Sequence, residues 1–140
     1  MARFWKIAVF IALLLLSGGC TAKTHGVQKS SSRTVVRIEI SGKHAGSTIT
    51  LQYEDQKKMN KILNYLRALR SEGTRRYAPV QTADERYEIL LYYANGEKSC
   101  WKIFRENCFC KGDAPWQVLN PKRTPKLYPL LHTLPSDKAI

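Results

Sequence analysis

The sequence predicts an α+β domain: an antiparallel sheet of about five strands in the order β-β-α-β-β-β-α, with helices packed on one face. Three observations carry that prediction. Apolar residues alternate with polar ones through 35–40, 48–53 and 87–104. Leucines recur at helical spacing through 56–69 and 127–134, and Asn95-Gly96 marks a tight turn between two of the alternating runs.

In the first run Val36, Ile38 and Ile40 share one face, and in the second Ile49, Leu51 and Tyr53 do the same. Ser41-Gly42 and Ala45-Gly46 mark the turn between them, with His44 inside it, so the two runs form an antiparallel pair. Asp55 then stands where a helix N-cap accepts from exposed amides of the first turn. From Gln56 to Leu69 a stripe of Met59, Ile62, Leu63, Leu66 and Leu69 faces the sheet, and Lys57, Lys58, Lys61 and Asn64 occupy the opposite side. Residues 71–83 hold Gly73, Pro79 and Arg75-Arg76 without periodicity and read as a recognition loop of about a dozen residues.

Two-residue turns fix strand register, because side chains alternate faces along each strand. With Asn95-Gly96 as such a turn, Leu91 opposes Cys100 and Tyr87 opposes Phe104, which puts Cys100 on the apolar, helix-covered face as a buried thiol. A second two-residue turn at Glu106-Asn107 sets Phe104 against Phe109 and sends Cys108 and Cys110 to the other face beside Trp101 and Ile103. A three-residue turn would reverse that parity and bring Cys108 or Cys110 to the side of Cys100. The final helix starts at Thr124-Pro125, an N-cap followed by a first-turn proline, and carries Leu127, Leu130, Leu131 and Leu134.

The N-terminus has a different character. Arg3 and Lys6 precede the apolar run Ile7–Leu16, which is far short of the roughly twenty residues a spanning helix needs. Ser17-Gly18-Gly19 end the run just before Cys20. Leu16-Ser17-Gly18-Gly19-Cys20 resembles the lipobox of bacterial lipoproteins, with the leucine one position further from the cysteine than is usual. The resemblance implies a signal peptide over 1–19, removed in front of Cys20, and a diacylglycerol anchor on the Cys20 thiol. An ordinary cleaved signal or an uncleaved anchor are the competing readings of the same pattern. Residues 20–33, polar and serine-rich, form the flexible tether behind the lipid, and 34–140 form a single domain.

Against 11 Asp plus Glu the chain sets 23 Lys plus Arg, a net charge of +12. For a domain held at the extracytoplasmic face of a membrane, that charge selects anionic lipid or an anionic envelope polymer, and the Lys57, Lys58 and Lys61 face is its candidate contact. An envelope protein is the other class of partner. Export and the absence of an aromatic-interleaved basic motif argue against nucleic acid.

No catalytic constellation stands out. His25, His44 and His132 fall in the tether, a turn and the terminal helix, Asp84, Glu85 and Glu88 form a local acidic cluster, and neither a phosphate loop nor a metal-binding spacing occurs. The sequence calls for no catalytic residue, no metal and no cofactor. Cys100, Cys108 and Cys110 are an odd set for an exported chain, open to three readings: free thiols, one disulfide, or a thiol or metal site. The leading expectation is a lipid-anchored, non-enzymatic binding or regulatory domain. Its rivals are a thiol- or metal-handling envelope protein and a small envelope hydrolase with a dispersed site.

Overall fold

The computed structural model describes residues 33–79, 85–105 and 107–138. The expected signal segment 1–19, Cys20, His25 and all of the expected tether but Arg33 lie outside the described residues, as do residues 80–84, Glu106 and 139–140. Among the described residues, no helix is long and apolar enough to cross a membrane.

Alternation builds the first hairpin as expected, but its turn is shorter. Strand β1 (Val35–His44) runs through Ser41-Gly42, and only Ala45 and Gly46, at φ of 48° and 79°, lie between His44 and its partner Ser47 in β2 (Ser47–Tyr53). Two left-handed residues in succession match the twist of the flanking strands, which is why this turn needs no help from Gly42. Gly42 serves another purpose. It faces Tyr87 across the ladder, and a Cβ there would collide with the Arg86 carbonyl oxygen and stand 3.0 Å from the Tyr87 Cα. At the other end of β1 the register slips between Val35 and Arg37, leaving Val36 as the extra residue at 47% exposure while Val35 takes the core position expected for Val36.

The remaining elements are α1 (Gln56–Ala68), β3 (Arg86–Tyr93), β4 (Lys98–Phe104), β5 (Cys108–Lys111), β6 (Gln117–Val118) and α2 (Leu127–His132). All six strands form one open antiparallel sheet in the order β2-β1-β3-β4-β5-β6, so the α+β class holds and β6 is one strand more than the sequence announced. The first part of the 71–83 segment is itself ordered against β6: Glu72 N–H donates to Val118 O, Val118 N–H to Gly73 O, and Arg75 N–H to Trp116 O, each within 2.9 Å.

Both later turns differ from expectation by one residue. Tyr92 pairs with Lys98 and Tyr93 N–H donates to Glu97 O, so the loop is Ala94-Asn95-Gly96, with only Gly96 left-handed at φ 85° and Asn95 Oδ1 accepting the Glu97 amide. This is a turn closed by a left-handed glycine, the three-residue solution to the same sequence signal. Leu90, not Leu91, therefore opposes Cys100, and Tyr87 opposes Ile103, not Phe104. Three residues also separate Phe104 from its partner Cys108, with Arg105 left-handed at φ 49°, so Ile103 rather than Phe104 faces Phe109. The first shift moves Cys100 off the helix-covered face, the second keeps Cys108 and Cys110 on the other side, and all three domain cysteines therefore share it.

On the covered face Ile38, Ile40, Tyr53, Tyr87, Ile89, Leu91 and Ile103 pack with Met59, Ile62, Tyr65, Leu66 and Leu69 beside α2 residues Leu127 and Leu131. Each fully buried aliphatic there contributes roughly 1.5–3 kcal/mol. The Asp55 carboxylate accepts the Lys58 amide at 3.0 Å, the N-cap the sequence called for, worth about 1 kcal/mol. A second carboxylate reaches the same helix start from the chain's end. Asp137 accepts the amides of Glu54 at 2.8 Å and Asp55 at 2.7 Å and pairs with the Lys58 ammonium, and these contacts hold its carboxyl down to about 2. Nearby, Tyr53 O–H donates to Leu134 O at 2.8 Å; burial, then the Asp137 charge, pushes that phenol up to about 12.

The terminal helix begins later than Thr124-Pro125. Thr124 N–H is spent on Asn120 O at 2.9 Å in a preceding turn, and Lys126 is the cap, with no side-chain cap bond. Pro129 falls in the first turn of α2, where an amide has no helical acceptor to lose.

Candidate functional site

Strand pairing arranges the uncovered face into cross-strand rows. One row reads Thr48, Lys43, Arg86, Phe104, Cys108; the next reads Thr50, Ser41, Glu88, Lys102, Cys110. Over these rows lies an open cleft of about 640 Å³, walled by Phe104, Trp116 and the Ala78-Pro79 segment. Among the described residues that line it are the cations Lys43, Arg86 and Lys102 and the carboxylate Glu88. Among the described residues no ion pair links Lys43 or Lys102 to a carboxylate. The cleft is therefore a cationic surface with an aromatic rim, suited to an anion that brings its own charge.

Size decides what kind of anion. Exposed ion pairs are worth about 0.2–1 kcal/mol each, so those of Lys43 and Lys102 fall short of the roughly 4 kcal/mol that a 1 mM complex requires. A small lone anion is held weakly there. A chain that repeats its charge, or that makes further contacts beyond the cleft, is what such a surface can retain.

The three cysteines line the same face as free thiols. Cys108 and Cys110 are buried and Cys100 is partly so. Burial pushes each thiol up; at Cys100 the Glu88 carboxylate adds to the effect, and at Cys108 the Arg75 guanidinium, 3.5 Å away, opposes it without overcoming it. A thiol held protonated is a poor nucleophile and a poor metal ligand. No group of three candidate metal ligands occurs among the described residues.

The helix-face lysines are not equivalent. Lys57 and Lys61 are exposed, whereas Lys58 is committed to Asp137 and to Pro135 O at 2.9 Å, so the expected three-lysine contact is reduced to two. The histidines differ from expectation as well. His44 belongs to β1, not to a turn, and Tyr128 of α2 stacks on it at 3.5 Å between ring centroids, with His132 at 6.2 Å on from Tyr128. His44 Nδ1 lies 2.8 Å from Tyr87 Oη. This column ties the first hairpin to α2.

No protein-family model, no curated protein and no solved structure matches the chain.

The cleft residues Lys43, Arg86 and Lys102 were missed in the sequence because they come from three strands and share no spacing. One signal was present. The polar phase of each alternating run is basic at these positions, and superimposing the polar phases of paired strands would have placed them together.

Proposed function

We propose that this chain is a lipid-anchored binding module of the bacterial envelope, tethered through Cys20, whose non-enzymatic domain takes an anionic, multivalent partner on the uncovered face of its sheet. The observation that carries the reading is the cleft, where Lys43 and Lys102 stand without a carboxylate partner among the described residues, on a face that neither α1 nor α2 covers. The net charge of +12 supports it, and so does the lipobox-like Leu16–Cys20 segment, since a tether confines the domain to a surface rich in anionic material.

The test is binding of short polyphosphate and polygalacturonate to the full chain in neutral-lipid nanodiscs. Affinity should fall with added salt and drop at least tenfold in Lys43→Glu/Lys102→Glu, while Lys57→Gln/Lys61→Gln retains it. Loss of binding in the helix-face pair alone would transfer the reading to that face, and absence of binding to either polyanion would end it.

A further inference from the structure

The outer edge of the sheet supplies the contacts that the cleft lacks. In β2 the residues Thr48, Thr50 and Gln52 alternate with those bonded to β1, so their amides and carbonyls point away from the sheet. Gln52 proves the direction. Its N–H donates to Ser136 Oγ at 2.9 Å and its carbonyl accepts the Asp137 amide at 2.8 Å, so the chain's own last residues lie along that end of the edge. Thr48 and Thr50, in the same phase, have no such partner among the described residues. The stretch has none of the usual protections of an edge: it carries no proline, no bulge and no charged side chain, only exposed Ser47, Thr48 and Thr50 and the half-buried Ile49 and Leu51.

Resting on the anion-binding reading above, we infer that the partner is an extended acidic polypeptide segment that adds to β2 as a seventh strand. Two outward N–H and two outward C=O groups demand a partner with amides, which a polysaccharide, polyphosphate or lipid headgroup does not offer in that repeat. Charge selects the sequence of the segment. Lys43 stands beside Thr48 in the same row, so an acidic side chain of the added strand, about two strand spacings or roughly 9.6 Å from the β1 backbone, reaches its ammonium over the small Thr48 side chain. The same excess of Lys and Arg disfavours a second copy of this chain, which would bring a second strongly basic surface to the edge.

The test uses the full chain in neutral-lipid nanodiscs and a ten-residue peptide of alternating glutamate and threonine. Binding should protect the Thr48 and Thr50 amides from hydrogen exchange. The affinity should fall at least tenfold when alternate peptide amides are N-methylated, which leaves the protein untouched. It should fall as far in Thr50→Pro, where the lost N–H is an outward one and the β1–β2 ladder keeps its bonds; polyphosphate binding should survive that change. Polyphosphate binding without peptide protection of Thr48 and Thr50, or a peptide indifferent to N-methylation, would overturn the strand addition while leaving the cleft standing. Equal binding of a lysine-threonine peptide would overturn the acidic assignment, and strand addition unaffected by Lys43→Glu would separate the edge from the cleft.

Discussion

The imidazole of His44 lies flat on the phenol ring of Tyr128, with centroids 3.5 Å apart and planes within 5°. Its Nδ1 also meets the Tyr87 hydroxyl, so one side chain joins the end of β1, the middle strands and α2. Aromatic pairs of this kind contribute about 0.5–1.5 kcal/mol beyond their burial. His44→Ala and Tyr128→Ala should each lower the urea midpoint, and a double-mutant cycle should return a coupling of about 1 kcal/mol. A coupling near zero would mean that the ring stacking adds nothing to the burial of Leu127, Leu131 and Leu134 in holding α2.

Gly42 is needed for closeness rather than for an unusual backbone angle. Replacing it with alanine drives a methyl into the Arg86 carbonyl oxygen, and the strands must separate to admit it. Gly42→Ala should destabilise by about 1–3 kcal/mol, as overpacking does. Gly96→Ala, which meets open space but sits at φ 85°, should cost about 1–2 kcal/mol for its left-handed backbone alone. Denaturant unfolding of the two variants checks both, and only Gly42→Ala should speed amide exchange in β1 and β3.

The sequence was legible where period and chemistry agree. Ile38, Ile40, Ile89 and Leu91 alternate into one face, Asp55 caps α1, and the leucines of both helices land in the core. It was not legible where one residue changes parity. Asn95-Gly96 serves a two-residue turn and a three-residue turn closed by a left-handed glycine equally well, and Val36 gives no sign that the chain bulges there. The uncovered face suffered most, because its composition depends on those parities: Cys100 moved onto it, and Lys102 met Glu88 across the ladder. Nor does any local pattern announce Ser136 and Asp137 as partners of Gln52 and Glu54, more than eighty residues earlier in the chain.

Cysteine chemistry tests the observed register directly. Gly112 N–H donates to Cys100 O at 2.8 Å, which makes Gly112 the neighbour of Cys100, with Cys110 two residues further along and opposite Lys102. Diagonal neighbours on adjacent strands stand about 7–8 Å apart at Cα, outside the range of about 4.4–6.8 Å that a disulfide spans. Non-reducing peptide mapping should find no bridge from Cys100 to Cys108 or Cys110. Because the thiolate is the reactive form and burial raises all three thiols above 9.0, alkylation should still accelerate beyond the pH at which a free cysteine levels off. Cys100, the most accessible, should be labelled first.

Asp137 couples stability to pH at the acid end and, through Tyr53, at the alkaline end. The Lys58 ammonium, then the Asp55 and Glu54 amides, lower its carboxyl from 3.8 to about 2, so the folded state favours the charged form. The unfolded chain takes up the proton first as pH falls, and the stabilisation, complete above the unfolded value of 3.8, is lost progressively toward pH 2. Asp137→Asn should therefore lower the urea midpoint at neutral pH and flatten its decline between pH 4 and pH 2. Glu54, lowered by its hydrogen bond to Lys138, titrates in the neighbouring range, and Glu54→Gln distinguishes its share. The opposite limb has the opposite sign. Tyr53 is raised from 10.0 to about 12, first by burial and then by the Asp137 charge, so the unfolded chain loses that proton first and stability falls as pH rises through this interval. Phenolate absorbance should show a late-titrating component that is lost in Tyr53→Phe and shifted to lower pH in Asp137→Asn. If the late titration persists unshifted in Asp137→Asn, burial alone governs Tyr53 and the carboxylate acts only on the start of α1.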